Sequence, residues 1–426
     1  MPLSSSPESV LSNGHLSPDG IFWNKAINDS LFLGSQKRRF IDFTSGILVS
    51  NVGHSNPRVL RSIRRVIASR LIHSYHYNNT FKERYLSDLS RFIGSEFGKI
   101  SIHVTSSGTE ATESALKIML RNSTNVESPR ILSFSGNYHG RTMGSSYMGA
   151  PGVFAEAWPA ISDYFPKISF PYRWQVTEEN AQRHLMQQLS SLPDNVLSSV
   201  VGVIIEAFQG WCTGLYPIKY IQALSDYAKQ RSWIVCFDEM QSGFYRTGTK
   251  FAYQNYSIIP DLLCIGKGMG GGLPLSGVIG KYHIMSKVLD GELSSTHSFN
   301  PTVCAAGSAV IREMSSPKFN TKLTRNVLQF RELSQNLLAT YPSLQNRSSF
   351  IGMVGSIVFH NIENSQSSGT DLANRFVDLA FERNVLVIRT GRESVKLAPP
   401  LTITSKNLTR AFSAFNDVLQ SMDINS

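Results

Sequence analysis

The sequence predicts an α/β protein with a mostly parallel sheet, and three observations carry that prediction. Short apolar runs alternate with amphipathic helical stretches from about residue 100 to 267. Two of those runs, Val200–Ile205 and Leu262–Ile265, are continuously apolar, as strands buried on both faces must be. Several runs break into polar, chemically capable residues at their carboxyl ends: Ser107, Tyr138, Glu206, Asp238 and Lys267. In a parallel sheet those ends share one edge, where open α/β folds place their ligands.

A chain of 426 residues is long for one core, so one large and at least one smaller domain are expected. The expected division is a loose Ser-, Pro- and Asn-rich tail over 1–20 and a segment over 21–55 that joins the small domain. A large domain over 56–315 and a small α+β domain over 316–426 follow. Hydrophobic residues make up 41% and charged residues 17%, which describes a globular chain and not a disordered one. The formal charge of +10 is scattered, and no basic block is interleaved with aromatics, so no nucleic-acid partner is expected. No run is long and apolar enough to span a membrane. The four cysteines form no CxxC pair, which argues against a metal centre and a disulfide framework and predicts a reducing, cytoplasmic setting.

Taken in order, Ile41–Val49 reads as strand and turn. Ser55 or Asn56 can cap a helix that has Pro57 in its first turn and apolar residues at Val59, Ile63, Val66 and Ile67. His54 in that turn reads as structural. Ile100–Val104 reads as a strand that breaks into Ser107-Gly108-Thr109 and then a strong helix former. Strand, glycine turn and helix start make an anion site, because free N–H groups and the positive end of the helix dipole face the ligand. A plain helix cap explains the same residues. Arg130–Phe134 runs into Tyr138-His139 between glycines, which brings a ring suited to stacking to the same sheet edge.

Glu206 directly follows a buried strand, and such a carboxylate needs a partner. Ile218–Arg231 reads as an amphipathic helix and Trp233–Phe237 as a strand ending in Asp238. An acid there could bind a metal, cap a loop or pair with a protonated ring nitrogen. The strand Leu262–Ile265 ends at Gly266 and is followed at once by Lys267 and four more glycines within the next five residues. A desolvated lysine has its amine pKa pushed down and can attack a carbonyl to form a Schiff base. On this stretch alone, a glycine turn with an exposed lysine reads as well. Later, Val303–Met314 reads as a helix and Val385–Ile388 as a strand.

Together these stretches resemble the class III pyridoxal-phosphate aminotransferases of the type I, aspartate-aminotransferase fold, over roughly 35 to 420. That group includes the omega-amine, acetylornithine, ornithine and 4-aminobutyrate (GABA) enzymes. The resemblance implies pyridoxal 5'-phosphate as cofactor and no metal. It implies that Lys267 is the Schiff-base lysine and that Asp238 binds the pyridine nitrogen. It assigns Ser107, Gly108 and Thr109 to the phosphate and Tyr138, with His139 beside it, to the ring face. Met240 would lie under the ring and Gln241 near its phenolic oxygen. Glu206 and Gln209 match a glutamate-and-glutamine segment, with Ala207 where a proline is usual. Thr296 matches a threonine that reaches the phosphate of a neighbouring subunit, which implies a homodimer with shared sites.

The resemblance further implies transfer of an amino group, a terminal one, between an amine or amino acid and an oxo acid or aldehyde. Racemisation or epimerisation and decarboxylation use the same cofactor residues and stay open as alternatives. Many relatives acting on α-amino acids carry an arginine two residues before Ala-Pro-Pro, where this chain has Lys396. Lysine lacks arginine's bidentate grip on a carboxylate. Arg389 matches the position of a mobile arginine in amine-type members and is expected to take the carboxylate. Glu206 would pair with Lys396 or take a substrate amine.

Overall fold

The computed structural model describes residues 22–75, 77–123, 126–149, 158–360 and 367–424. The tail expected over 1–20 lies outside them. The chain opens with an antiparallel meander of β1 (Trp23–Ile27), β2 (Ser30–Leu33) and β3 (Arg38–Asp42). The helix Pro57–Ser69 follows, capped by Asn56, whose side chain accepts from the Arg58 and Val59 amides.

The central sheet holds β4 (Ile100–Thr105), β5 (Arg130–Phe134), β6 (Lys167–Ile168), β7 (Val200–Glu206), β8 (Ile234–Asp238), β9 (Leu262–Ile265) and β10 (Ser276–Lys281). Their spatial order is β4-β10-β9-β8-β7-β5-β6. The sheet is parallel except for β10, which runs against both neighbours. Every residue of β7, β8 and β9 is buried. Their side chains alternate between two apolar layers: Val235, Phe237, Leu263 and Ile265 face one, and Ile234, Cys236, Leu262 and Cys264 face the other. Burying each such leucine, isoleucine or phenylalanine is worth about 2 kcal/mol, so the register of these strands is strongly fixed.

A third sheet comes from β11 (Ser349–Ile351), β12 (Val354–Val358), β14 (Ile388–Arg389) and β15 (Ser394–Leu397). Between β12 and β14 lies β13 (Val385–Leu386), which pairs in parallel with β3 of the first sheet. The single strand expected over Val385–Ile388 is therefore two. It crosses at Val387 from a parallel partner, Ile41–Asp42, to an antiparallel one, Val395–Lys396. Local sequence cannot report that change of partner.

Candidate active site

The edge formed by the ends of β7, β8 and β9 gathers the predicted chemistry. Glu206 and Asp238 are cross-strand partners. The Asp238 carboxylate is buried and held on both oxygens: Oδ1 accepts from the Met240 amide at 2.9 Å, and Oδ2 lies 2.8 Å from His139 Nδ1. His139 is itself buried, so it stands behind Asp238 and orients it. Its Nε2 has no partner among the described residues.

Lys267 follows β9 in a single helical turn, Lys267–Met269. Its φ of 44° puts a non-glycine residue in the left-handed region, a strain that surrounding structure must hold. Burial lowers its amine pKa, while Asp238 and Glu206 act in the opposite sense. Met240 floors the recess. A Cβ at Gly266 would meet its sulfur at 2.5 Å and one at Gly108 at 2.9 Å, so both glycines let backbone close around the thioether.

At the start of the helix Gly108–Arg121, Ser107 and Glu110 form a reciprocal capping box. Glu110 Oε2 takes the amides of Ser106 and Ser107 and the Ser107 hydroxyl. The Thr109 hydroxyl meets Thr142 Oγ1 at 2.6 Å. Both hydroxyls expected to reach a phosphate are thus engaged within the protein. The amides of Gly108 and Thr109 have no acceptor among the described residues, and these are the donors the turn offers to an anion.

Glu206 and Lys396 do not meet directly; Gln241 stands between them. Lys396 Nζ donates to Gln241 Oε1 at 2.6 Å, and Gln241 Nε2 donates to Glu206 Oε1 at 3.3 Å. Glu206 Oε2 accepts the amides of Tyr138 and Gly210. Burial, with Asp238 nearby, pushes Glu206 up to about 7 although His139 opposes it. Burial brings Lys396 down to about 8. The Tyr138 ring is 44% exposed at the rim, with the Arg141 guanidinium 6.0 Å from its centre.

Two predicted residues are not brought to this cluster. Arg389 is exposed and pairs with Asp378 at 2.6 Å. It stands opposite Val395 in the β14–β15 ladder, whereas Lys396 stands opposite Ile388. Side chains alternate along a strand, so Arg389 leaves the opposite face of the sheet from Lys396. Thr296 is exposed on a loop whose Ser298 hydroxyl donates to Val104 O, near the end of β4.

The structure adds residues that the sequence reading passed over. Arg246 is fully buried. It donates to Met353 O, Pro399 O, Ser45 Oγ and Asn51 Oδ1, and so fastens three distant parts of the chain below the Lys267 turn. Trp211, also passed over, donates its indole N–H to Gln209 Oε1, the glutamine already singled out, which accepts from the Tyr172 hydroxyl as well. Arg392 lies over the Trp211 ring.

The residues present fit a pyridine-type phosphate cofactor. A buried aspartate is locked in place to face a protonated ring nitrogen. A thioether floors the recess, an amine of lowered pKa adjoins it, and two free amides stand at a helix start. Fold and site define the class: an α/β enzyme whose cofactor is pyridoxal phosphate. Residues 15–419 match the aminotransferase class-III family, and the chain belongs to that family. It is 27% identical to an acetylornithine aminotransferase from Clostridium acetobutylicum, over 89% of this chain and 92% of that protein. It is 31% identical to a 2-aminoadipate transaminase from Pseudomonas putida, over 91% and 92%. The fold superposes with a TM-score of 0.85 on an amine transaminase from an uncultivated Pseudomonas species in its PLP-bound form, at 20% identity and over 98% and 99% of the two chains. The protein is thus an aminotransferase, moving an amino group between an amino donor and an oxo acid or aldehyde.

Proposed function

We propose that Lys267 is the catalytic base and acid of this aminotransferase and that its donor carries a terminal amine. The observation that carries the first part is the meeting of a lysine of lowered pKa with Asp238 and Glu206 at adjoining strand ends. Bound pyridoxal phosphate supplies the carbonyl that takes up the amine and a ring that draws electrons from the reacting carbon. Lys267 Nζ accepts a proton at the substrate carbon and returns it on the other side of the transfer. Asp238, held by His139 and the Met240 amide, keeps a proton on the ring nitrogen. Gly108 and Thr109 would hold the phosphate through their amides, and Tyr138 and Met240 would hold the ring. The terminal-amine reading is supported by Lys396 standing where relatives that use α-amino acids carry arginine.

The same proposal includes a homodimer in which Thr296 completes the partner's site. Supporting it, the loop carrying Thr296 meets an exposed apolar stretch: Asn300 Nδ2 donates to Ile72 O, and Ile72 and Tyr77 are 62% and 78% exposed. It also includes the division into a cofactor-binding domain over 56–315 and a smaller one built from 21–55 and 316–426. The pairing of β3 with β13 supports that division. A cytoplasmic setting is in keeping with four free, buried cysteines. Absorbance of the purified protein, before and after a panel of terminal amines and α-amino acids, tests the reading. Bleaching of the cofactor band by a terminal amine supports it; bleaching by α-amino acids alone overturns the donor assignment.

A further inference from the structure

Three helices meet around a recess of about 150 Å³ outside the cofactor site, and arginines dominate its lining. Arg58, Arg61 and Arg65 come from the helix Pro57–Ser69, Arg84 from Thr80–Ile93 and Arg312 from Pro301–Met314. The spacing of the first three, i, i+3 and i+7, puts them on one face of their helix. That helix carries a fourth arginine, Arg64, and no acidic residue. Its buried residues are Val59 and Val66, and its exposed apolar residues, Leu60 and Ile67, lie on a third side. The arginine face is therefore neither core nor apolar contact surface.

The local counter-charge does not balance these cations. Arg58 pairs with Glu313 and Arg312 with Asp88. Asp88 also serves Arg91 and the Ser308 hydroxyl, so both its oxygens are taken. Among the described residues, Arg61, Arg65 and Arg84 make no ion pair. Five guanidinium groups thus face two carboxylates, and three positive charges are left over. The hydroxyls of the recess are turned to the protein: Ser62 Oγ donates to Ala305 O, and Ser308 Oγ to Asp88. Like charges one turn apart destabilise a helix, and here two further helices confine them. A bound anion of matching charge removes that repulsion.

The direction of approach narrows the anion. The guanidinium groups come from three helices and so from several sides. A planar carboxylate presents its two oxygens in one plane and suits one guanidinium; a phosphate presents oxygens around a tetrahedron and suits several. One phosphate group carries roughly −1.5 to −2 at pH 7, which is less than the surplus.

We propose that this recess binds a small oligophosphate, an anion with at least two linked phosphate groups, held by Arg61, Arg65 and Arg84 with Arg58 and Arg312 at its edges. The inference goes beyond the amino-transfer reading and does not rest on it. Two of these helices also back the turn that follows Lys267: a Cβ at Gly271 would meet Val310 Cγ2 at 2.8 Å and Val59 Cγ2 at 3.3 Å. The ligand thus clamps helices that support the Lys267 turn without entering the site. It binds by charge and hydrogen bonds alone; no covalent bond forms or breaks.

The test uses inorganic triphosphate as the probe and the holoenzyme, whose cofactor fills its own phosphate site. Calorimetry should show one triphosphate bound per chain, more weakly as salt rises. Arg61→Gln and Arg65→Gln should each weaken binding roughly tenfold, and the pair about a hundredfold. Arg64→Gln, on another face of the same helix, should stay within about twofold of the parent. Adipate, with two carboxylates, and orthophosphate, with one phosphate, should bind at least about tenfold more weakly than triphosphate. Without triphosphate the double variant should melt no lower than the parent, because repulsion is relieved; with it, only the parent should gain. Absence of binding, binding kept in the double variant, or an equal loss in Arg64→Gln overturns the proposal. So does adipate binding as tightly as triphosphate, which makes the recess a dicarboxylate site. A double variant that melts lower without ligand also overturns it, since the arginines are then satisfied in the free protein.

Discussion

The floor of the site and its outer wall are built by different means. The floor comes from neighbouring strands of one sheet: Glu206 and Asp238 are register partners, and Lys267 leaves the next strand. The wall is the β14–β15 hairpin of a separate sheet, and it touches the floor through few side chains. Lys396 reaches Gln241 across 155 residues of sequence, and Ser394 reaches Trp211 across 183. Groups on the floor are fixed by strands buried on both faces, where a register shift would expose a whole layer. Groups on the wall ride on a turn, where one residue can change without disturbing the chemistry. On the proposed reading, proton transfer belongs to the rigid part and substrate choice to the adjustable one.

The sharpest way to break that comparison is on the floor. Lys267→Ala should cut turnover by at least about a thousandfold for every donor, since the proton-moving group is gone. Steady-state rates across a donor panel measure it, and a donor that keeps its rate would remove Lys267 from the mechanism. Asp238→Ala should cost about a hundredfold or more in kcat, again for all donors. His139→Asn should cost less, about tenfold, because it orients Asp238 and touches no reacting atom. If His139→Asn proves as damaging as Asp238→Ala, the histidine acts directly and the layered picture of the floor is wrong.

Effects on the wall should be smaller and selective. Burial pushes the Glu206 carboxyl up to about 7 and brings the Lys396 amine down to about 8. The lysine cation is fully present below about 8 and is lost as pH rises through it. KM for acid-bearing substrates should therefore rise by up to about tenfold between pH 7 and pH 9, with little change in kcat. Lys396→Arg should flatten the rise, because guanidinium keeps its charge throughout. A rise that persists in Lys396→Arg must come from another group.

The same contrast explains what was legible in the sequence. Lys267, Asp238, Glu206 and the Ser107–Thr109 turn stand at ends of apolar runs, and local pattern finds such places. The roles of individual atoms were not legible. The Ser107 and Thr109 hydroxyls look like phosphate donors until the capping box and Thr142 claim them. The wall was hardest to read, because a hairpin's facing is set by pairing partners far away in sequence. Arg389 is one residue out of phase with the site: it pairs with Val395, and the neighbouring Ile388 with Lys396. Arg392 gave no signal, since its contact with Trp211 is made only by the fold.

The smallest expected effect compares two adjacent carboxylates of the floor itself. Asp238 is held by the Met240 amide and His139, whereas Glu239 accepts from the Ser242 hydroxyl and from the Tyr253 amide at 2.8 Å. Burial pushes Glu239 up to about 7, against the opposing hydrogen bonds from Ser242, Ala252 and Tyr253. A carboxyl whose folded pKa is raised contributes stability that is fully present below its unfolded value near 4.5 and is lost as pH rises through about 7. The loss is at most on the order of 3–4 kcal/mol, because each pKa unit corresponds to about 1.4 kcal/mol. Glu239→Gln cannot ionise, so its denaturant midpoint should fall less than the parent's between pH 5 and pH 8, while kcat stays near the parent value. Parallel midpoints across that range would show that Glu239 does not set the pH dependence of stability. A large fall in kcat would show that both carboxylates serve the chemistry, and the division between them would have to be redrawn.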